Sequence, residues 1–142
     1  MTREPIMVAL FAKLSAIPGV ITSSRVLETI ASVSPAEQPA LFLAPRSQVA
    51  MRVRGLPTRW VIDVAVYVYT NRGNDLTVVP DTAMNTILDA IEAALEPAPG
   101  VEVQTLGGLC DQVLIEGVVE TDEGALGDQA IAIVPVRIHV SK

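Results

Sequence analysis

A chain of 142 residues, half of them apolar and with a mean hydropathy of +0.44, can bury one hydrophobic core but is short for two, so a single domain over 1–142 is expected. A net charge of −6 with only 4% aromatic residues argues against specific nucleic-acid binding, which needs a basic field and stacking platforms. The lone Cys110 excludes an internal disulfide and any multi-cysteine metal site.

The charge is divided by sign along the chain. Residues 1–71 carry seven Lys and Arg against four Asp and Glu, whereas residues 72–142 carry three against twelve. Within the first half, Gln38 to Ile62 contains four arginines, Arg46, Arg52, Arg54 and Arg59, and no acid. Such a run can simply solvate a loop; it can also form a basic surface that meets an acidic one on a neighbouring copy.

At the N-terminus, Arg3, Glu4, Lys13 and Ser15 interrupt the apolar residues, so neither a signal peptide nor a membrane span fits, and a soluble protein made in the cytosol is expected. Met7, Leu10, Phe11, Leu14 and Ile17 recur at helical spacing between Thr2, a possible N-cap, and Pro18-Gly19, which predicts an amphipathic first helix. Val20 to Val33 has no clear period and fits either a strand or a turn of helix. Pro39 to Leu43 reads as a strand at the start or edge of a sheet.

From Ala44 to Arg59, Val49, Met51 and Val53 alternate with Ala50, Arg52 and Arg54, predicting an extended arm or hairpin whose exposed edges would seek a partner. Trp60 to Thr70 is dominated by β-branched and aromatic residues and should be a central strand. It carries apolar residues on both sides with only Asp63 intervening, so both sheet faces should be covered, the second by another subunit. Asn71 to Asp75 reads as a surface loop.

Pro80 and Asp81 open a second helix in which Met84, Ile87, Leu88, Ile91 and Leu95 form an apolar stripe, with Asp89, Glu92 and Glu96 opposite and a rigid exit at Pro97-Ala98-Pro99-Gly100. Gln112–Thr121 and Gln129–Val140 read as an antiparallel pair joined by an acidic turn over Asp122–Asp128. The order predicts an α+β fold: a mixed or antiparallel sheet of about four to five strands, two main helices on one face, and a projecting arm.

The residues of chemistry are sparse. His139 stands alone in a strand-like run and has no Ser or Cys motif beside it, so a structural role outweighs a catalytic one. Cys110 follows Leu109 and suits a small core residue. Gly107-Gly108 lacks the lysine of a phosphate loop and reads as a turn, and Asp122, Glu123 and Asp128 do not have calcium-loop spacing. No catalytic residue, cofactor site or metal site is expected.

Taken in order, Gln38-Pro39-Ala40-Leu41-Phe42-Leu43, the strand Val64 to Tyr69, the helix Ile87 to Leu95, then Thr105-Leu106-Gly107-Gly108, Ile115-Glu116-Gly117 and Ala130 to Val136 resemble the tail terminator family of long-tailed bacteriophages, also described as tail completion or minor tail protein U-like proteins. The resemblance covers roughly the last hundred residues. It implies a non-enzymatic virion subunit, assembled in the bacterial cytoplasm, that forms a hexameric ring at the head-proximal end of the tail. Such a ring caps the tube, stops its polymerisation and meets the head-tail connector or head-closure protein. DNA would pass through it, and an acidic lining would let a polyanion slide; no membrane is involved.

A ring needs two different patches on each subunit. The sequence offers Arg46, Arg52, Arg54 and Arg59 on the arm and Asp122, Glu123 and Asp128 in the acidic half, with contact to the tube below as the arm's other use. The alternatives are a tail-tube or head-closure subunit of the same virion, and a small host enzyme or ligand-binding domain with an apolar cleft.

Overall fold

The computed structural model describes residues 2–71, 80–126 and 128–141, with side chains described for all of these but 80, 81 and 123–126. Helix α1 spans Arg3–Ser15, and the short strand β1 spans Thr22–Ser24. Strands β2, Ala40–Met51, and β3, Arg59–Asn71, form a long antiparallel hairpin. Helix α2, Pro80–Leu95, leads through an irregular stretch to β4, Gln112–Ile115, β5, Glu120–Leu126, and β6, Gln129–Val140.

These strands make one six-stranded sheet in the order β1-β2-β3-β6-β4, with β5 also on β6. All pairs are antiparallel except β1 with β2. The α+β class is therefore as the sequence predicts, with one strand more than the upper expectation. The difference lies in β1, which occupies part of the segment without a clear period, and in the division of the expected strand 112–121 into β4 and β5.

Strand β6 explains why the expected C-terminal pair is broken in two. Its outer edge carries β4 against Ile138 and its neighbours and β5 against residues 129–133. Between them lies Pro135, which has no amide hydrogen to offer, and the Pro135 carbonyl accepts from the Glu116 amide at 3.3 Å on that same edge. The interruption at 116–119 thus falls where a proline has removed a ladder donor. Gly117, at φ 121°, passes so close that a Cβ there would lie 3.2 Å from Pro135 Cγ.

The acidic stretch 122–128 is accordingly not the turn the sequence suggests. Residues 122–126 belong to strand β5, and Asp128 lies in a turn that enters β6. Backbone pairing to an already formed strand outweighs the weak strand preference of Asp122, Glu123 and Gly124.

Both helices lie on one face. Ile6, Met7, Leu10 and Leu14 of α1 and Met84, Ile87, Ile91 and Leu95 of α2 pack on Leu41, Leu43, the even-numbered residues Ile62–Val68 of β3 and the even-numbered residues Ala130–Val140 of β6. The strict period of two in β6, alternating half-buried and buried over its whole length, follows from this single core. Thr2 occupies the N-cap position of α1 in extended conformation but makes no capping hydrogen bond. Glu4 in the first turn is instead held by the two terminal guanidinium nitrogens of Arg25.

The second face is covered at one end by the chain itself, which corrects the expectation that another subunit must do so there. Val33, Phe42, Ala40 and Tyr69 form a small second core with Ile30 and Ile131 against it. The Phe42 and Tyr69 rings lie 5.3 Å apart, and the Tyr69 hydroxyl donates to the Glu28 carbonyl at 2.6 Å. Gln38 Nε2 donates to the Val33 carbonyl and to Gln129 Oε1, tying this flap to the start of β6. At the other end of the same face, Asp63 is answered by Arg137 directly across the β3–β6 ladder, Nε to Oδ1 2.8 Å, and Arg137 also reaches Glu116 at 3.2 Å. The loop expected at Asn71–Asp75 lies, from residue 72 on, outside the described residues.

Candidate interaction surfaces

The arm is the far half of the β2–β3 hairpin. Its ladder runs to Met51 opposite Arg59, beyond the last β3–β6 pair, Trp60 with Val140, so the tip projects past the end of the sheet. Residues 45–57 are exposed without a break. A turn closes the tip: the Leu56 amide donates to the Val53 carbonyl at 3.0 Å, with Gly55 at φ 83° in its third position, a backbone angle that turns of the second type reserve for glycine. At the base, the Arg3 guanidinium lies 4.6 Å over the Trp60 ring and donates to Gln48 Oε1 at 2.7 Å.

The arm presents both charge and apolar surface. Val49, Met51, Val53 and Leu56 are 51, 48, 59 and 58% exposed, values that concentrate unusual apolar surface on one small element. Arg46 sits at a bulge between Pro45 and Ser47 and donates to the Tyr67 hydroxyl at 3.2 Å. Arg52, Arg54 and Arg59 make no hydrogen bond or ion pair within the chain among the described residues, and all three are exposed.

The acidic residues picked from the sequence lie elsewhere. Asp122 is exposed on β5 opposite Ile131, Asp128 is half-buried at the turn into β6, and the side chain of Glu123 lies outside the described residues. Ile131 pairs with Tyr69, ten positions along β3 from Arg59, or about 33 Å of strand. The two sequence-derived patches thus occupy opposite ends and different edges of the sheet. One copy cannot satisfy both by itself.

A second acidic surface escaped the sequence reading. Asp89, Glu92 and Glu96 fall on one ridge of α2, at spacings of three and four, and the sequence assigns them simply to the polar face. With Glu102 they border a groove of about 630 Å³ between α2, the stretch 97–104 and β4. Its walls include Leu88, Leu95, Val103, Val113, Ile115 and Val119, and no Lys or Arg lines it. Gln104 holds the groove open: its Nε2 donates to the Glu96 carbonyl at the end of α2, its Oε1 accepts from the Leu106 amide, and its own carbonyl accepts from the Val113 amide of β4.

Of the residues considered for chemistry, His139 is half-buried on β6 between Val61 and Gln112. Cys110 is buried, its thiol directed at the Thr105 carbonyl. Leu106, Gly107 and Gly108 form the turn expected of the glycine pair, all at positive φ. Among the described residues no three His, Cys, Asp or Glu side chains are grouped as metal ligands, and no helix is long and apolar enough to cross a membrane.

No family model and no curated protein matches the chain in sequence. In structure it is similar to a protein chain of the virion of a native gene transfer agent (GTA) particle, with a TM-score of 0.62 at 13% identity, over 96% of this chain and 95% of that one. At that identity the likeness is one of fold, and it runs along nearly the whole length of both chains.

Proposed function

We propose that the chain is a non-catalytic virion subunit that closes into a hexameric ring at the head-proximal end of a phage-like tail, caps the tail tube and joins it to the head connector. The observation that carries this reading is the match of fold over nearly the whole of both chains with a protein of a GTA virion. The order of segments resembling tail terminators supports the more specific role. Fold alone does not assign function; the surfaces supply the rest of the argument.

A ring requires a head-to-tail contact between unlike patches. The arm, with three unengaged arginines and four exposed apolar residues, is one such patch, and the acidic second half of the chain supplies the other. Reversal of Arg52 and Arg54 to Glu is expected to weaken ring formation at moderate salt, because exposed charges attract across an interface only within a Debye length of about 10 Å. Rings undiminished in that variant would remove the arm from the contact.

Another ring protein of the same particle, a tube or head-closure subunit, is the neighbouring reading. Purified tube protein would polymerise into long tubes, whereas a terminator stops at closed rings; negative-stain microscopy separates the two.

A further inference from the structure

We infer that the arm of one copy seats in the acid-rimmed groove between α2 and β4 of the next copy. This rests on the self-assembly proposed above and names the acidic partner of the arm, replacing the region 122–128 in that role.

Charge and shape select the pair. The groove has four carboxylates at its border, apolar walls and no lining cation; the arm has Arg52, Arg54 and Arg59, exposed Met51, Val53 and Leu56, and no acid anywhere from Gln38 to Ile62. Strand β2 ends at Met51, and Arg52, Val53, Arg54 and Leu56 stand exposed together around the tip turn, so one insertion can bury the apolar side chains on Leu88, Ile115 and Val119 while the guanidinium groups meet the rim. Asp122 and Asp128 line neither this groove nor the concavity on the opposite face between Arg46 and Arg137.

The contact must be between copies. Backbone pairing up to Met51 and Arg59 keeps the arm on β2 and β3, while the groove opens beyond β6, at the outer edge strand β4. The two surfaces are different, so their union is heterologous and propagates from copy to copy until it closes.

Two full-length variants test it. Leu56→Cys places a thiol at the arm tip and Val119→Cys one in the groove, leaving every charge in place; Cys110, 1% exposed, stays protected from reagent. Mixed and treated with a short bis-maleimide, they are expected to give a cross-linked heterodimer, and Leu56→Cys mixed with Asp122→Cys is not. Adding Glu92→Lys and Glu96→Lys to the Val119→Cys chain should lower the yield about tenfold, and Arg52→Glu with Arg54→Glu on the other chain should restore it in part. Circular dichroism of each variant confirms that it is folded.

Closed rings of wild-type protein together with a cross-link from Leu56→Cys to Asp122→Cys, and none to Val119→Cys, would overturn the groove contact and leave the ring reading standing. A cross-link from the groove thiol to added tube subunits in place of the arm would seat the tube there and also overturn it. Failure of the wild-type protein to associate at any concentration, with or without tubes, would bring down both.

Discussion

Gln104 ties the end of α2 to the loop at Leu106 through the two ends of its side-chain amide, while its backbone carbonyl holds Val113 of β4, and neither side-chain bond has an obvious substitute. Gln104→Ala is expected to cost about 1 kcal/mol of stability in urea unfolding, the loss of one part-buried and one exposed hydrogen bond, and to weaken assembly by loosening the groove. Tyr69 is the corresponding anchor on the other face. Burial of its ring, with Tyr67 and Glu28 adding to the effect, raises its phenol above the usual value. The neutral phenol is therefore the form the fold favours, and the associated stability is present below the ordinary phenol pKa of about 10 and lost as pH rises through the higher folded value. Tyr69→Phe should cost about 1 kcal/mol at pH 7 and flatten the decline of thermal stability between pH 9 and 11, roughly the window around that pKa; an unchanged alkaline slope would mean that another group causes it. Gly117→Ala should destabilise by about 1–2 kcal/mol, since the residue combines a strained φ with contact on Pro135.

At the scale of elements, core and arm should respond oppositely to mutation. Ile91 is fully buried under the sheet, and Ile91→Ala is expected to cost about 2–5 kcal/mol. Replacing residues 52–58 by a two-residue Asn-Gly turn, by contrast, removes a segment exposed almost throughout and should move the melting temperature by no more than about 4 °C while abolishing self-association; a large loss of stability would show that the arm belongs to the core. The same division explains what could be read in advance. Helices α1 and α2 and the central strand β3 follow from their apolar patterns, because each packs on the core, and the arm follows from the acid-free alternation of residues that stay exposed. Strand β5 was not legible, since its acidic residues form a strand only through the backbone of β6. Asp63 looked like an isolated acid in an apolar run, and its partner Arg137, 74 positions away, becomes visible only once β3 and β6 are in register. The groove was hidden for a similar reason: it is made by α2, Gln104 and β4 together, and the carboxylates on α2 have no distinguishing spacing of their own.

For the whole molecule, the opposite signs of the two chain halves become a directional property. The basic arm leaves the sheet at one end, and the acidic residues lie on α2 and along the β4–β5 edge, so the two charges sit on different parts of the molecule, as the proposed head-to-tail contact requires. Contacts of this kind are exposed to salt, and assembly should weaken progressively with ionic strength even where each subunit remains folded. In the proposed assembly, copies of this chain join head to tail and stop at a closed ring. Native mass spectrometry of the purified protein, alone and after mixing with tail tubes, tests it most directly. A single closed species of six copies is expected, on its own or bound at the tube end; a monomer under both conditions, or an open series of masses growing with concentration, would contradict the proposed ring.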